Sequence, residues 1–233
     1  MRGICFDIGA LVYGPMGAEF LTEVLRGEGI QAEQAEVEDA LARLPGELQA
    51  LKAAIRTEEQ ENDYNRAMLA LLVTELGVPN VTDALLLRLA ETVHEYHAYF
   101  SMYPETLPVL EELKSRGLPM AVVANWAPSL GRLLREFALE GYFSAVLPSA
   151  AVGLSKPDPY IFHQALKALG VRPEEAAHVG PSLAEDITGA LRAGITPVWL
   201  NRAAIPTGQE VLTISDLRGL LMLAPKAGDP MCS

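Results

Sequence analysis

The chain has 233 residues, and half of them are hydrophobic, so it can bury one large core or a core with a smaller second module. Its formal net charge is -12, with 30 acidic against 18 basic residues. This balance argues against nucleic acid or an anionic membrane surface as a partner. The two cysteines, Cys5 and Cys232, offer no disulfide framework and favour a reducing compartment.

The first apolar stretch is too short for a signal peptide, because Asp7 interrupts it almost at once. No run of about 18 apolar residues follows, so no transmembrane helix is expected. A cytoplasmic protein is the prediction.

In chain order, residues 3–6 predict a short buried strand that ends at Asp7 and is followed by a glycine-containing turn. From Pro15 to Phe100 apolar residues recur at helical spacing and no strand pattern is found. The spacing predicts five helices, over 18–26, 35–44, 46–55, 58–76 and 82–100. Residues 15–102 are therefore expected to form an all-helical domain.

From Tyr103 onward, strands and helices alternate. The predicted helices cover 106–116, 129–138, 159–169 and 183–193, and the predicted strands cover 120–124, 145–147, 177–180 and 197–200. Such alternation predicts a parallel sheet with helices on both faces. The expected fold is α/β: a doubly wound core domain of residues 1–14 plus 103–225, the helical domain inserted into it, and a frayed tail at 226–233.

Polar side chains follow the predicted strands in the order Asp7, Asn125, Lys156, and then Glu185 with Asp186. Each has an ordinary structural interpretation. An aspartate after a strand is usually a turn or cap residue. Glu185 completes a Ser-x-x-Glu capping box, and Asp186 in the same first turn would favour the helix dipole.

Taken together, these side chains predict an anion site, because the carboxyl ends of parallel strands share one edge of a sheet. An aspartate, an amide, a lysine and a second aspartate would then meet in one pocket. This set suits phosphoryl transfer. One carboxylate attacks, the lysine holds charge on the transferred oxygens, and carboxylate-bound Mg²⁺ neutralises the remainder.

The chain resembles the haloacid dehalogenase superfamily over nearly its whole length. Four segments correspond to the four family motifs: Phe6–Val12, Val122–Asn125, Lys156–Phe162, and His178–Ser182 with Asp186 and Gly194. The third and fourth are the specific ones. The resemblance implies a Rossmann-like core with a helical cap domain inserted after the first motif.

The resemblance also implies a Mg²⁺-dependent phosphatase that acts on a small phosphorylated metabolite. A monomer or a homodimer is expected. Asp7 is then the nucleophile that forms an aspartyl intermediate, and Lys156 pairs with it and with the phosphoryl oxygens. Mg²⁺ would be held by Asp7, the carbonyl of Gly9 and Asp186. The phosphate-binding residues would be Ala124, Asn125 and Trp126.

Four positions depart from the family pattern. Gly9 stands where family phosphatases have an aspartate as general acid/base, and Pro181 stands where they have a carboxylate that binds the metal. Leu11 and Ala124 replace residues that carry hydroxyl groups. General acid/base help is typically worth about 10²- to 10⁴-fold, so a slow phosphatase is expected.

Two alternatives stay open. One is a catalytically impaired relative that binds a small anion or a protein partner. The other is a dehalogenase-type hydrolase, a branch that needs no metal, although its motif-four Ser and Asn correspond here to Pro181 and Leu183. His94 and His97 have the spacing of a metal pair without a third ligand, and they also suit ordinary half-buried or surface histidines.

Overall fold

The protein is described by a computed structural model that covers residues 1–206, 208 and 210–225. The predicted tail, residues 226–233, lies outside the described residues. The chain divides into two compact units, one formed by Met1–Tyr13 with the chain from Met102 onward and the other by Gly14–Ser101.

The first unit contains a six-stranded sheet of order β5-β4-β1-β6-β7-β8, in which every neighbouring pair is parallel. The strands are β1 (Gly3–Phe6), β2 (Val12–Tyr13), β3 (Ser101–Met102), β4 (Met120–Ala124), β5 (Ala145–Pro148), β6 (Ala176–Gly180), β7 (Thr196–Leu200) and β8 (Leu212–Ile214). The two-residue strands β2 and β3 form a separate small sheet.

The middle of the large sheet is buried on both faces. Every residue of β1, β4 and β6 is buried, which explains why these strands have near-continuous apolar sequences without alternation. Burial raises the pKa of the Cys5 thiol in β1 to about 12, so this cysteine is a core residue as its sequence position predicts.

The helices of the first unit are α6 (Thr106–Ser115), α7 (Leu130–Glu136), α8 (Ser149–Val152), α9 (Pro159–Leu169), α10 (Thr188–Arg192) and α11 (Leu220–Leu223). Asp158 begins α9, because its side chain accepts the backbone N–H of Tyr160 and Pro159 occupies the first turn. Gly170 ends α9 in the left-handed conformation. The predicted doubly wound α/β class is confirmed.

Several details differ from the predictions, and two of them concern the sheet edge and the segment after β6. Strand β8 at the sheet edge was not predicted, because it has three residues and two of them are exposed. The helix predicted over 183–193 is a π-helical turn, Leu183–Ile187, followed by the short α10. Such turns are frequent at functional sites, and this one carries Asp186.

The second unit consists of the helices α1 (Gly17–Gly27), α2 (Gln34–Ala42), α3 (Gly46–Ala54), α4 (Glu58–Glu75) and α5 (Asp83–His94). Their apolar faces share one core. The helix predicted over 82–100 ends at His94 and is followed by a 3-10 helix, Tyr96–Tyr99. His94 contacts the Asn62 amide oxygen through Nδ1 at 3.1 Å. None of the described helices combines the length and apolarity that a membrane crossing needs.

Helix α10 packs closely onto the segment that carries Lys156. A Cβ added at Gly189 would lie 2.5 Å from Cε2 of Phe162 and 3.2 Å from the Cα of Pro157. We therefore expect Gly189→Ala to overpack this contact and to lower the free energy of unfolding by about 1–3 kcal/mol.

Urea denaturation followed by tryptophan fluorescence measures this effect, because both tryptophans, Trp126 and Trp199, lie in the first unit. The control is Gly141→Ala, where nothing lies within 4 Å of the added Cβ and a change within about 0.5 kcal/mol is expected. Equal stabilities of the two variants would show that α10 does not depend on this close approach.

Candidate active site

Four separate chain segments bring the predicted site residues to the carboxyl edge of the sheet. Asp7 directly follows β1 and Asn125 directly follows β4. Lys156 lies between α8 and α9, and Asp186 lies in the π-helical turn after β6. All four belong to the first unit, and the described contacts connect them to one another.

The Lys156 ammonium lies between two carboxylates. Its Nζ is 2.5 Å from Oδ1 of Asp7 and 2.6 Å from Oδ1 of Asp186. The side chains of Lys156 and Asp186 are each 1% exposed, whereas that of Asp7 is 15% exposed. Asp7 is therefore the member of this cluster that a ligand in solvent can reach.

Asn125 holds the backbone of Lys156. Its Nδ2 donates to the Lys156 carbonyl at 2.9 Å, and the Lys156 N–H donates to its Oδ1 at 2.7 Å. The sequence predicted that this amide contacts the transferred group. Both amide atoms bind the segment that positions Lys156, and contact with the transferred group stays a prediction.

Asp186 is surrounded by hydrogen-bond donors. Its Oδ1 accepts from Lys156 and lies 2.9 Å from Nε2 of His178, and its Oδ2 accepts the Ser182 N–H at 3.0 Å. A Cβ at Gly180 would lie 2.2 Å from the Asp186 Cγ. Only glycine at position 180 therefore lets the carboxylate approach the end of β6.

His178 is a site residue that the sequence analysis placed in a strand without a role. It is fully buried in β6, and its ring packs edge-on against Phe162 with 4.9 Å between ring centres. The signal that could have identified it is a single titratable side chain within an otherwise apolar buried strand. Such a residue requires a polar partner, which here is Asp186.

The charges of the cluster stabilise one another. Burial is the largest single influence on Lys156 and lowers its pKa, but Asp7 and Asp186 together outweigh burial and raise that pKa. Burial also raises the pKa of Asp186, yet hydrogen bonds and charge from His178 and Lys156 hold it below its usual range. The contacts thus favour a protonated Lys156 beside an ionised Asp186.

The loop after Asp7 is shaped by the absence of a side chain at position 9. The Gly9 N–H donates to Oδ2 of Asp7 at 2.7 Å, and a Cβ at Gly9 would lie 2.9 Å from the same oxygen. A residue with a side chain would therefore push the Asp7 carboxylate out of its present position. Glycine lets that carboxylate turn back onto its own loop.

The other predicted residues have the following places. Ala124 is buried at the end of β4, and the partly exposed Trp126 donates its N–H to the Ala124 carbonyl at 2.9 Å. The exposed Glu185 donates its N–H to Oγ of Ser182 at 3.2 Å, which supports its interpretation as a helix-start residue.

No group of three or more His, Cys, Asp or Glu side chains with metal-binding geometry occurs in residues 1–206, 208 and 210–225.

Arg202 is a second residue that the sequence analysis missed. It follows β7, stacks over the Tyr103 ring at 3.5 Å and forms an ion pair with Glu105 at 2.6 Å. It also donates to the carbonyl of Ala10 at 3.1 Å. Because Ala10 ends the turn that begins at Asp7, Arg202 braces the loop that carries the nucleophile candidate.

The lowered pKa of Asp186 predicts a pH-dependent contribution to stability. Its folded pKa lies below the unfolded value of about 3.9, so the folded chain binds fewer protons near that pH. The contribution is fully present above that value and is lost as pH falls through the folded pKa. Asp186→Asn should lower the free energy of unfolding at pH 7 by about 1–3 kcal/mol.

The difference between wild type and Asp186→Asn should shrink when urea denaturation is repeated near pH 3. Asp158→Asn is the control, because asparagine is as good an N-cap as aspartate and little change is expected. A difference that stays constant or grows on acidification would contradict the assignment of an ionised Asp186.

Residues 1–194 match the family model described as haloacid dehalogenase-like hydrolase. The phosphoserine phosphatase of Thermus thermophilus is 41% identical over 138 residues, which cover 58% of this chain and 55% of that protein. The match thus spans about half the length of that relative. The glyceraldehyde 3-phosphate phosphatase of Methanopyrus kandleri is 34% identical over 168 residues, 65% of this chain and 72% of that protein.

Two solved structures agree with this fold. A HAD phosphatase from Thermococcus onnurineus has a TM-score of 0.66 and 25% identity over 97% of this chain and 100% of its own. A 2-haloacid dehalogenase from Pseudomonas syringae has a TM-score of 0.70 with 22% identity over 96% of this chain and 97% of its own, a likeness of fold alone. The predicted resemblance is confirmed: the chain belongs to the haloacid dehalogenase-like hydrolase family.

Proposed function

We propose that this chain hydrolyses small phosphate monoesters, with Asp7 as the nucleophile. The observation that carries the proposal is the contact between the partly exposed Asp7 carboxylate and the buried Lys156 ammonium, at 2.5 Å. An attacking carboxylate must be accessible to the substrate and must be ionised. A fixed cation beside it stabilises its negative charge and attracts an anionic substrate. The phosphatase relatives support the substrate class.

In the first step an Asp7 oxygen forms a bond to phosphorus, and the bond from phosphorus to the ester oxygen breaks. The departing oxygen takes a proton from water, and an aspartyl phosphate remains. In the second step water attacks this intermediate, phosphate leaves, and the Asp7 carboxylate is regenerated. Lys156 stabilises the negative charge on the transferred oxygens throughout both steps.

Within the described part of the chain, no residue in contact with Asp7 carries a carboxyl group that could donate a proton. Gly9 has no side chain, and the groups that hydrogen-bond to Asp7 are the Lys156 ammonium and the Gly9 backbone N–H. The leaving group must therefore depart largely by its own stability as an anion. Esters of acidic alcohols and acyl phosphates should react faster than alkyl phosphates.

Dehalogenation of a small 2-halo acid is a second candidate that the same observation favours. A halide leaves without a proton, and attack by Asp7 on carbon would form an ester that water then hydrolyses. The lack of carboxylates at Gly9 and Pro181 does not impede this reaction. A cytoplasmic location and a monomeric or homodimeric state stay predictions of the sequence.

Substitution of the reacting groups tests the proposal. Asp7→Asn removes the nucleophile and should reduce hydrolysis of p-nitrophenyl phosphate to background. Lys156→Met removes the cation and should lower kcat by about 10²-fold or more. Glu185→Gln is the control, because this exposed carboxylate is a neighbour of Asp186 in the chain and does not contact Asp7 or Lys156 in the structure. Equal rates for Asp7→Asn and wild type would overturn the proposal.

The leaving-group dependence is a separate prediction. Across a series of aryl and alkyl phosphates, kcat/KM should fall steeply as the leaving alcohol becomes less acidic. Alkyl esters should be slower by about 10²- to 10⁴-fold, which is the rate acceleration that a general acid typically contributes. The measurement is initial phosphate release. Similar rates for both ester classes would mean that a proton donor outside this cluster acts on the leaving group.

A further inference from the structure

We infer that the Asp7 site works without a divalent cation, and that Asp186 is a positioning residue for Lys156 in place of a metal ligand. The family resemblance implies Mg²⁺ held by Asp7, Gly9 and Asp186. The residues present do not fit that ion. Three observations support this inference, and they concern Asp186, position 181 and the charge of the cluster.

Both carboxylate oxygens of Asp186 already accept hydrogen bonds from the protein. Oδ1 receives Lys156 at 2.6 Å and His178 at 2.9 Å, and Oδ2 receives the Ser182 N–H at 3.0 Å. An ionised carboxylate only accepts, so Nε2 of His178 carries the proton in this contact. A metal ion at Oδ1 would have to displace the buried Lys156 or His178 donor, which would then lose its partner. The remaining acceptor site on Oδ2 belongs to a side chain that is only 1% exposed.

Position 181 provides no carboxylate ligand for a cation. The Pro181 Cγ lies 3.6 Å from the point that a Cβ at Gly9 would occupy, so the two positions face each other beside Asp7. One has no side chain and the other presents a ring methylene. The Pro181 carbonyl is also engaged, because it accepts from the indole Nε1 of Trp199 at 2.9 Å. Mg²⁺ prefers near-octahedral oxygen ligands, usually including carboxylates.

The cation of the site is Lys156. Its Nζ lies within 2.6 Å of both carboxylates, so it already supplies the positive charge that neutralises them. Asp186 fixes the ammonium from the buried side and leaves Asp7 on the reachable side. Replacing Asp186 should therefore change the position of the Lys156 ammonium beside Asp7 and lower its pKa.

The first test is a calorimetric titration of the wild-type protein with magnesium chloride, together with thermal unfolding in Mg²⁺ and in EDTA. No saturable heat and no shift of Tm are expected. The variant Pro181→Asp places a carboxylate beside Asp7 and should bind Mg²⁺ with a rise in Tm. Saturable Mg²⁺ binding by wild type that Asp186→Asn abolishes would overturn the inference.

The second test separates positioning from mere folding through the pH profile of kcat/KM. The charged and titratable groups in contact with Lys156 are Asp7 and Asp186, with His178 behind Asp186. Asp186→Asn should lower kcat and move the alkaline limb to lower pH, because the ammonium keeps one carboxylate where it had two. Glu185→Gln should leave the profile unchanged. An unmoved alkaline limb in Asp186→Asn would contradict the positioning role.

This inference rests on the proposed function only for its kinetic test. Wild-type hydrolysis that EDTA does not reduce supports both, and hydrolysis that requires Mg²⁺ overturns the inference while the proposed function stands. If wild type releases no phosphate from any ester, the proposed function fails. The magnesium titration then still decides whether the cluster binds a cation.

Discussion

The site depends on one interaction, the placement of a buried lysine ammonium between two aspartate carboxylates. Burying a charge costs several kcal/mol, and a single surface-type ion pair does not offset that cost. Lys156 is stable in its place because Asp7 and Asp186 both approach its Nζ closely, at 2.5 and 2.6 Å. Three chain segments far apart in sequence must therefore meet at one point.

The surrounding structure serves this meeting point. Asn125 fixes the Lys156 backbone with two hydrogen bonds, and His178 with the Ser182 N–H fixes Asp186. Glycine at position 180 allows Asp186 to approach β6. The result is a charge cluster that is rigid on its buried side, with one carboxylate facing outward. Preorganised charge of this kind is the usual source of catalytic stabilisation, because it needs no rearrangement during the reaction.

Much of this arrangement follows from the sequence. Alternating strands and helices predict a parallel sheet, and a shared carboxyl edge then brings Asp7, Lys156 and Asp186 together. The hydrogen bonds from Asn125 to the Lys156 backbone did not follow, because they depend on the path of the loop that carries Lys156. His178 was missed because a strand pattern does not say which distant side chain a buried residue meets. Strand β8 was missed because its three residues lack the apolar pattern of the buried strands.

The most direct test of the account is to trap the intermediate. Wild-type protein is quenched in acid during turnover of an aryl phosphate, reduced with borohydride and mapped by peptide mass spectrometry. A reduced carboxyl group at Asp7 is expected in the presence of substrate and not in its absence. Turnover without any modification of Asp7, or with modification at a different carboxylate, would contradict the assignment of Asp7 as the nucleophile.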